Sequence, residues 1–210
     1  MKRLFFVAVA FAVVFGFSVR AHADLSLLGQ GTSAYGTYNL FYDSYFDITW
    51  YDYTHTPDIW ANQKDWADAL SVTFGTNTYT DWRLPSAWNQ DGSGLCQGYY
   101  CTDSEMGHLY YVDIGSEGAV PYPVYGTSDF QNLPDVEGWP DDPGNIWFGD
   151  ATMRFNWYWG GQYSSTHDQS WGAIAVRNGL AVVPEPISST LFIVGGATLG
   201  LRRFWNKYKR

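Results

Sequence analysis

Residues 40–53, LFYDSYFDITWYDY, carry the clearest folding pattern in this 210-residue chain. They are rich in aromatic side chains and other strand-favouring residues, and the Asp-Ser pair at Asp43 is typical of a turn. After that turn, Phe46, Ile48 and Trp50 recur at every second position, which places them on one face of a strand. The stretch therefore predicts two consecutive strands joined by a turn near Asp43.

Helix signals follow this stretch at two places. Thr56 and Pro57 match an N-cap and a first helical residue, and the apolar spacing after them predicts a helix over residues 57–70. Thr102 and Glu105 match a capping box, in which the Thr102 hydroxyl accepts a backbone amide and Glu105 reaches back to the cap. A second helix is therefore predicted to begin just after Thr102.

The rest of the central region is predicted as strands and irregular segments. Short strands are expected at residues 147–148, 155–159 and 171–176, whereas five prolines argue against a helix over residues 120–143. Residues 24–39 include the small and polar run GQGTSAYG and are predicted to form a flexible entry. Two helices among several short strands indicate an α+β fold.

The charge of the chain is divided between its ends and its middle. All 21 acidic residues but only four of the 12 basic residues lie within residues 24–186, so that region has a net charge of −17. Sequence-independent nucleic-acid binding requires basic patches, so no nucleic-acid partner is expected. The same region holds 31 aromatic residues, which must supply much of the core.

Residues 1–23 have the three parts of a secretory signal peptide. Two cations precede an apolar run at residues 4–19, and Ala21 and Ala23 form an A-x-A cleavage site. Signal peptidase is therefore an expected partner, and the chain is expected to be exported after cleavage behind Ala23. The alternative is an uncleaved N-terminal membrane anchor.

Residues 183–210 combine the tripeptide Pro184-Glu185-Pro186, an apolar run over residues 187–201 and a tail with five basic residues. As a helix, the apolar run would measure about 22 Å, which is short of the ~30 Å hydrocarbon core, but aromatic residues after it can extend it into the interface. These features predict a C-terminal membrane helix whose basic tail stays in the cytoplasm. The alternative is an amphipathic helix.

This order of features at the C-terminus resembles the PEP-CTERM sorting signal. The resemblance implies that an exosortase recognises the tripeptide and removes the tail during export. It also implies a Gram-negative host that makes exopolysaccharide. The expected location is a transient membrane anchor, followed by the cell surface or the extracellular matrix.

A second resemblance covers residues 40–179. The motifs that carry it are Asp47-Ile48-Thr49-Trp50, Trp66-Ala67-Asp68-Ala69-Leu70, Asp81-Trp82-Arg83-Leu84-Pro85, Ser104-Glu105-Met106-Gly107-His108-Leu109-Tyr110-Tyr111, Phe130-Gln131-Asn132-Leu133 and Ala175-Val176-Arg177. They resemble the Lcl C-terminal domain family. This implies a single compact C-type-lectin-like domain with two helices and short antiparallel strands, flanked by an N-terminal signal helix and the C-terminal membrane helix.

The Asp81–Pro85 motif has a structural and a functional interpretation. Arg83 is one of four cations in an acidic region, so it is expected to pair with an acid, while Trp82 and Leu84 are expected to pack. In the resemblance, Glu105 and Arg177 belong to the same structural set. The alternative is that Arg83 grips a carboxylate or sulfate of a ligand.

Cys96 and Cys101 are the two cysteines of the chain. In an exported protein an even pair predicts a disulfide, which here would close a six-residue loop. The alternative is a pair of metal-binding thiolates with His108 as the nearest further ligand. Because the loop is short, the disulfide is expected to stabilise the fold modestly.

The chain has no motif that predicts an enzyme. A nucleophile elbow, a zinc-hydrolase helix motif and a phosphate loop are all missing from the sequence, and His108 is interpreted as a buried or boundary histidine. No cofactor or metal is predicted, apart from calcium at the acidic turns of residues 91–94 and 141–145. A glycosidase-like pair of carboxylates is the alternative that would make the protein a hydrolase.

Exposed aromatic side chains are the candidate ligand contacts, because Trp and Tyr offer sugar rings a flat apolar face with a polar handle. Five lie near predicted loops, namely Trp88, Tyr99, Tyr100, Tyr158 and Tyr163. The favoured hypothesis is a surface protein that binds or organises exopolysaccharide or biofilm. The alternatives are a hydrolase of surface polysaccharide and a structural envelope component with no ligand site.

Overall fold

The fold is described by a computed structural model for residues 25–116, 130–133, 144–150 and 153–182. The predicted signal peptide with its cleavage site, the predicted sorting motif, the predicted C-terminal membrane helix and Asp141 of the second predicted calcium turn lie outside these residues. The strands are β1 (Leu25–Ser33), β2 (Gly36–Asp43), β3 (Ile48–Asp58), β4 (Val72–Phe74), β5 (Asn77–Tyr79), β6 (Trp82–Arg83), β7 (Asn145–Trp147), β8 (Met153–Asn156), β9 (Gly161–Ser164) and β10 (Trp171–Asn178). The helices are α1 (Trp60–Ala69) and α2 (Glu105–His108), and α2 continues into a π-helical turn (Leu109–Asp113). Across the described ranges, no helix combines the length and the apolar character needed to cross a membrane.

The ten described strands form one sheet in the order β5-β4-β1-β2-β3-β10-β7-β8-β9, with β6 also paired to β10. Neighbouring strands are antiparallel except β10 and β7, which run parallel where Gly172 lies opposite Ile146. The α+β prediction holds, because the described chain is mostly sheet with two short helices. The expectation of short antiparallel strands is wrong for the 11-residue β3 and for the β10–β7 pair.

The core lies on both faces of the central strands. In β3, Ile48 and Trp50 belong to one buried cluster and Tyr51 to another, because successive side chains of a strand point to opposite faces. The first cluster includes residues of α2 and its π-helical turn, and the second includes residues of α1. Burial on both faces explains why residues 40–53 are so rich in apolar and aromatic side chains.

The predicted turn at Asp43 is confirmed. β2 ends at Asp43 and β3 begins at Ile48, and Asp43 Oδ1 accepts the amides of Tyr45 and Phe46 at 2.8 and 3.2 Å. Phe46 lies in the turn rather than in a strand, yet it packs against the same cluster as Ile48. An Asp side chain can accept hydrogen bonds from the backbone amides of residues that follow it in the chain, and for this reason Asp favours turns.

The flexible entry predicted for residues 24–39 is wrong. Leu25–Ser33 form β1, which pairs with β2 from Leu25 opposite Asp43 onwards and touches β4 on its other side. Small and polar residues form a strand here because their backbone groups form hydrogen bonds with two neighbouring strands. This pairing outweighs the weak strand propensity of the residues themselves. The sheet therefore begins before the expected domain start at residue 40.

The first helix begins later than the predicted helix over residues 57–70. α1 starts at Trp60, and its N-cap makes no side-chain hydrogen bond. Thr56 and Pro57 instead continue β3, which pairs with β10 as far as Trp171. The pairing register shifts next to Trp171, and a proline without an amide is tolerated at such an irregularity.

The late strands agree in part with their predictions. Residues 147–148 and 155–159 overlap β7 and β8, and residues 171–176 lie within β10. β9 has no counterpart among the predicted strands, because its four residues begin with glycine and show little apolar alternation. Its pairing with β8 is what makes it a strand.

Candidate functional site

Arg83 and Glu105 form a bidentate ion pair at the centre of the Asp-Trp-Arg-Leu-Pro motif. Arg83 Nη1 donates to Glu105 Oε2 at 2.8 Å, and Arg83 Nη2 donates to Glu105 Oε1 at 2.6 Å. The Glu105 side chain is 8% exposed, and its Oε2 also accepts the Ser86 amide at 2.7 Å. Arg83 therefore pairs with an acid as predicted, through the strong geometry in which a planar guanidinium meets a carboxylate.

The predicted capping box of Thr102 and Glu105 is wrong. The N-cap of α2 is Ser104, whose hydroxyl oxygen accepts the Gly107 amide at 3.3 Å. Glu105 binds Arg83 instead, because a charge-assisted pair of hydrogen bonds outweighs one bond to a neutral amide. The first turn of α2 is thus fastened to β6.

Arg177 makes a second bidentate pair in the same motif. Its Nε and Nη2 donate to the two carboxylate oxygens of Asp81 at 2.9 and 3.0 Å, and these bonds lower the pKa of Asp81. The guanidinium carbon lies 4.4 Å from the ring centroid of Tyr79. Trp82 and Leu84 are buried in the α1 cluster. The motif therefore joins β6, β10 and α2 into one unit.

A cavity of about 260 Å³ lies beside this motif. Its lining combines α1, the turn after β6 and the turn after β7, with the residues Lys64, Asp68, Arg83, Leu84, Pro85, Ser86, Gly149 and Asp150. Asp68 forms an ion pair with Lys64. Asp150 accepts hydrogen bonds from the Ser86 hydroxyl at 2.9 Å and the Ala87 amide at 2.6 Å. Both carboxylates of the lining thus have partners within the fold.

A hydrolase would need one acid of raised pKa in such a cavity. In the described part of the chain, burial raises the pKa of Asp43 and of Asp52. Neither residue lines the cavity, and Asp52 binds the amides of Gln131 and Asn132 at 3.0 Å each. The cavity therefore gives the hydrolase alternative no support within the described residues.

The disulfide predicted between Cys96 and Cys101 is confirmed. Its loop pairs with β9, since Gly98 and Gln162 exchange two backbone hydrogen bonds of 2.8 Å. The buried Gln162 side chain donates to the Cys96 carbonyl at 2.9 Å and accepts from the Ser104 hydroxyl. The disulfide loop is thus joined to both β9 and the start of α2.

Replacing both cysteines with serine is expected to lower the free energy of unfolding by about 2 kcal/mol, because the closed loop is short. Urea denaturation of the wild type and of Cys96→Ser/Cys101→Ser measures the difference. In reducing buffer the wild type should lose the same amount, whereas the double variant should lose nothing more. A loss near zero would contradict the prediction and show that the Gln162 bonds hold the loop by themselves.

Four tyrosines, Tyr99, Tyr100, Tyr111 and Tyr163, form what we call the tyrosine cluster. Tyr99 and Tyr163 are perpendicular with ring centroids 6.0 Å apart, and Tyr100 stacks on Tyr111 at 5.0 Å. Tyr99 is 46% exposed and Tyr100 is 66% exposed. Burial and a hydrogen bond with Tyr99 raise the pKa of Tyr163 to about 12, so its hydroxyl stays protonated at neutral pH. The cluster offers solvent both aromatic faces and hydroxyl groups.

Gly160 and Gly161 allow these rings to lie against the backbone. A Cβ on Gly161 would lie 2.5 Å from the Tyr163 ring, and a Cβ on Gly160 would lie 2.5 Å from the Tyr111 hydroxyl. That hydroxyl donates to the Gly160 carbonyl at 2.7 Å, and Gly160 has a φ of +69°, which favours glycine. The tyrosine cluster therefore packs directly on the turn formed by Gly160 and Gly161.

Arg154 is a cation next to the tyrosine cluster. Its guanidinium carbon lies 5.4 Å from the ring centroid of Tyr163 and 5.5 Å from that of Trp171. Arg154 and Tyr163 are cross-strand partners in the β8–β9 pair, so their contact depends on sheet pairing. The sequence pattern predicts neither Arg154 nor Tyr111 as a site residue, because no local signal shows these contacts.

The other two candidate aromatics lie outside the tyrosine cluster. Trp88 is exposed on a separate loop, where it forms an isolated backbone bridge with Leu95. Tyr158 packs edge-to-face on Trp159 with centroids 4.7 Å apart, in the turn before β9. The structure thus brings together three of the five predicted aromatics.

A second group of rings lies between the β1–β2 turn and α1. Tyr35 stacks on Tyr53 with centroids 5.4 Å apart, and His55 stacks on Trp66 at 4.6 Å. Tyr35 is 44% exposed, which nearly equals the exposure of Tyr99. This second group gives a matched comparison for any function assigned to the tyrosine cluster.

The acidic turn at residues 91–94 is held by its own hydrogen bonds. Asp91 Oδ1 accepts the Ser93 amide at 2.8 Å, and Asp103 Oδ2 accepts the Asp91 amide at 3.1 Å. Bonds from Ser93 lower the pKa of Asp91. These contacts explain the turn without an ion, and calcium binding there stays a prediction.

Comparison of the chain with protein-family models, curated proteins and solved structures gives no match. The resemblances to a PEP-CTERM signal and to an Lcl C-terminal domain therefore rest on the sequence motifs themselves. Function has to be inferred from the residues and contacts of the described chain.

Proposed function

We propose that this chain is an exported cell-surface or extracellular-matrix protein that binds exopolysaccharide through the tyrosine cluster. The observation that carries the proposal is the pair of exposed rings, Tyr99 and Tyr100. Tyr99 packs against Tyr163, and Tyr100 packs against Tyr111. Rings fixed in this way lose little conformational entropy when a sugar stacks on them. Their hydroxyl groups can bond to the sugar hydroxyls around the edge.

The charge of the exported region favours a neutral polysaccharide. A net charge of −17 over residues 24–186 repels a polymer rich in uronic acid or sulfate, and salt would change such binding strongly. Arg154 is half-buried over Tyr163 and can donate to sugar hydroxyls from the edge of the cluster. The proposed ligand is therefore a matrix glycan with few charged groups.

Export and location in this proposal rest on the signal-peptide pattern at the N-terminus and on the PEP-CTERM resemblance at the C-terminus. In this proposal, signal peptidase cuts after Ala23, and an exosortase recognises Pro184-Glu185-Pro186 while the C-terminal helix holds the chain in the membrane. The disulfide between the two cysteines supports an oxidising compartment, since cytosolic thiols are kept reduced. A C-type-lectin-like fold belongs to the same proposal, as the Lcl resemblance implies it.

Replacing Tyr99 and Tyr100 with alanine is expected to weaken binding to the polysaccharide at least about tenfold, which corresponds to about 1.4 kcal/mol of lost stacking. Affinity electrophoresis of the full chain in gels containing the host's purified exopolysaccharide measures the change. The wild type should be retarded in proportion to polysaccharide concentration, and Tyr99→Ala/Tyr100→Ala should be retarded much less.

Tyr35→Ala is the matched control, because it removes a ring of nearly equal exposure from the second aromatic group. It should bind like the wild type. If Tyr35→Ala abolishes retardation and the cluster variant does not, the proposed location is wrong. If the wild type itself is not retarded by any matrix polysaccharide of the host, the proposed function is wrong.

A further inference from the structure

Asp43, His108 and Asp113 meet in the interior, although they come from the end of β2, from α2 and from the π-helical turn. One ligating atom from each side chain lies within 4.8 Å of the other two. The three side chains are nearly inaccessible: Asp43 is 1% exposed, and the side chains of His108 and Asp113 are 6% and 1% exposed. The group therefore concentrates two carboxylates and one imidazole in a dry environment.

The His108 ring is oriented so that Nε2 faces the carboxylates. Nδ1 lies 2.9 Å from the Thr102 carbonyl oxygen, which can only accept, so we assign a proton to Nδ1. Nε2 lies 3.9 Å from Asp113 Oδ1. Within the described residues Nε2 is buried without a hydrogen-bond partner. An Nε2 without a proton presents its lone pair to the carboxylates, and a proton or a metal ion between them removes the resulting repulsion.

The surroundings of His108 are those of a metal-binding histidine. Such a ring commonly donates its other N–H to a backbone carbonyl, which fixes the tautomer. Tyr45 stacks on the ring with centroids 4.4 Å apart and an interplanar angle of 8°, while Phe46 meets it edge-on at 5.3 Å. The ring is therefore held in one orientation with Nε2 directed at the acids.

Asp43 also has one oxygen available to this group. Its Oδ1 accepts the amides of Tyr45 and Phe46, whereas its Oδ2 is buried and has no hydrogen-bond partner among the described residues. An unpartnered carboxylate oxygen and an unpartnered imidazole nitrogen thus face the same small space.

Donor type and distance both fit a divalent transition-metal ion. Carboxylate oxygens and an imidazole nitrogen are donor atoms that such ions take in proteins. Three atoms at most 4.8 Å apart have a point within about 2.8 Å of all of them, so an inward movement of each atom by about 0.6–0.8 Å brings them to the ~2.0–2.2 Å of zinc ligands. Calcium prefers six to eight oxygen ligands, which this set does not supply.

We propose that Asp43 and His108, together with Asp113, bind one divalent transition-metal ion, with Zn²⁺ the ion best matched to one imidazole nitrogen and two carboxylate oxygens. The ion would join the β2–β3 turn to α2 and its π-helical turn, so its role is structural. This inference does not depend on the proposed polysaccharide binding, because the three ligands lie in the interior.

Zinc and cobalt titrations of the full chain test this site. After treatment with a chelator and dialysis, the chain is expected to bind one Zn²⁺, and its Tm should rise by several degrees when the metal is added in excess of the dissociation constant. Co²⁺ should produce a visible absorption band and one paramagnetically shifted imidazole N–H proton signal, and excess Zn²⁺ should remove both. The same concentration of Ca²⁺ should raise Tm much less.

Asp43→Asn and His108→Gln are expected to weaken Zn²⁺ binding by more than the 10–100-fold that changes to outer-shell partners cause. Asn at position 43 can still accept both turn amides, so Asp43→Asn keeps the turn and removes the charged ligand. Asp52→Asn is the matched control, since Asp52 is another buried acid that binds backbone amides. His167→Gln is the control for loss of an exposed histidine.

Each outcome decides for or against the metal site. Retained stoichiometric binding in both controls and its loss in both ligand variants support the site. Binding that survives in Asp43→Asn and His108→Gln would overturn it, as would a wild type that takes up no metal. If either ligand variant fails to fold, the paramagnetically shifted imidazole N–H signal of the wild-type Co²⁺ chain decides. A further outcome is that Asp43→Asn has a higher Tm than the wild type while metal leaves the Tm of the wild type unchanged. In that case the three side chains share a proton rather than a metal ion, and the proposal is wrong.

Discussion

Glu105→Ala is expected to lower the free energy of unfolding by about 2–4 kcal/mol, which is less than for a fully buried ion pair because the Arg83 side chain is 34% exposed and also binds Asn178. The substitution leaves the Arg83 guanidinium facing a space without its acid, and it removes the acceptor of the Ser86 amide. It also separates α2 from β6, since no other bond between these two elements is as strong. Urea denaturation followed by tryptophan fluorescence measures the loss.

Two further variants serve as controls for Glu105→Ala. Lys64→Ala removes an ion pair whose two side chains are about half exposed, and it should cost less than about 1 kcal/mol. Glu105→Gln keeps an acceptor for Ser86 but loses the charge, so its cost should fall between the other two. If Glu105→Ala is no more destabilising than Lys64→Ala, the pair does not hold α2 and the structural interpretation of the motif is wrong.

Gly107→Ala is expected to cost about 3 kcal/mol or more, although alanine is usually about 1 kcal/mol better than glycine inside a helix. A Cβ on Gly107 would lie 1.9 Å from the carbonyl oxygen of Cys101 and 2.7 Å from its carbonyl carbon. Both contacts are with backbone that the disulfide to Cys96 holds in place. The steric clash therefore makes Gly107→Ala destabilising, whereas helix propensity alone would make it stabilising.

The disulfide makes the mechanism of this loss testable. When Cys96→Ser/Cys101→Ser is combined with Gly107→Ala, the Cys101 carbonyl can move, so the triple variant should lose less than the separate losses together. Gly172→Ala is the control, because its nearest neighbour would be a Thr54 methyl at 3.3 Å and no backbone atom lies closer than 3.4 Å. Equal losses in Gly107→Ala and Gly172→Ala would contradict the argument.

Local patterns predicted elements whose cause is local. The turn at Asp43 follows from a side chain that accepts the amides of the residues two and three positions later, and the disulfide follows from two nearby cysteines in a chain with the pattern of an exported protein. The pairing of Arg83 with some acid was predictable from the scarcity of cations. The identity of that acid was not, because Glu105 lies 22 residues away and its spacing from Thr102 predicted a capping box instead.

The predictions from local sequence patterns are wrong where pairing with a neighbouring strand competes with the local preference. Thr56 and Pro57 have the pattern of a helix start, yet β10 extends β3 through them and α1 begins at Trp60. The polar run in residues 24–39 has little strand propensity, yet β2 and β4 make part of it a strand. Backbone hydrogen bonds to a neighbouring strand outweigh differences in propensity of a few tenths of a kcal/mol per residue.

The amino-acid sequence by itself determined the division of charge, the two strands around Asp43, the cysteine pair and the choice of tyrosine as a candidate ligand contact. Only the tertiary structure decided which side chains meet. Tyr99 and Tyr163 are brought together by the pairing of the disulfide loop with β9, and Asp43 meets His108 through packing of α2 against the β2–β3 turn. The physical reason is range: propensities, caps and turns act over a few residues, whereas a site built from distant residues depends on the order of strands in the sheet.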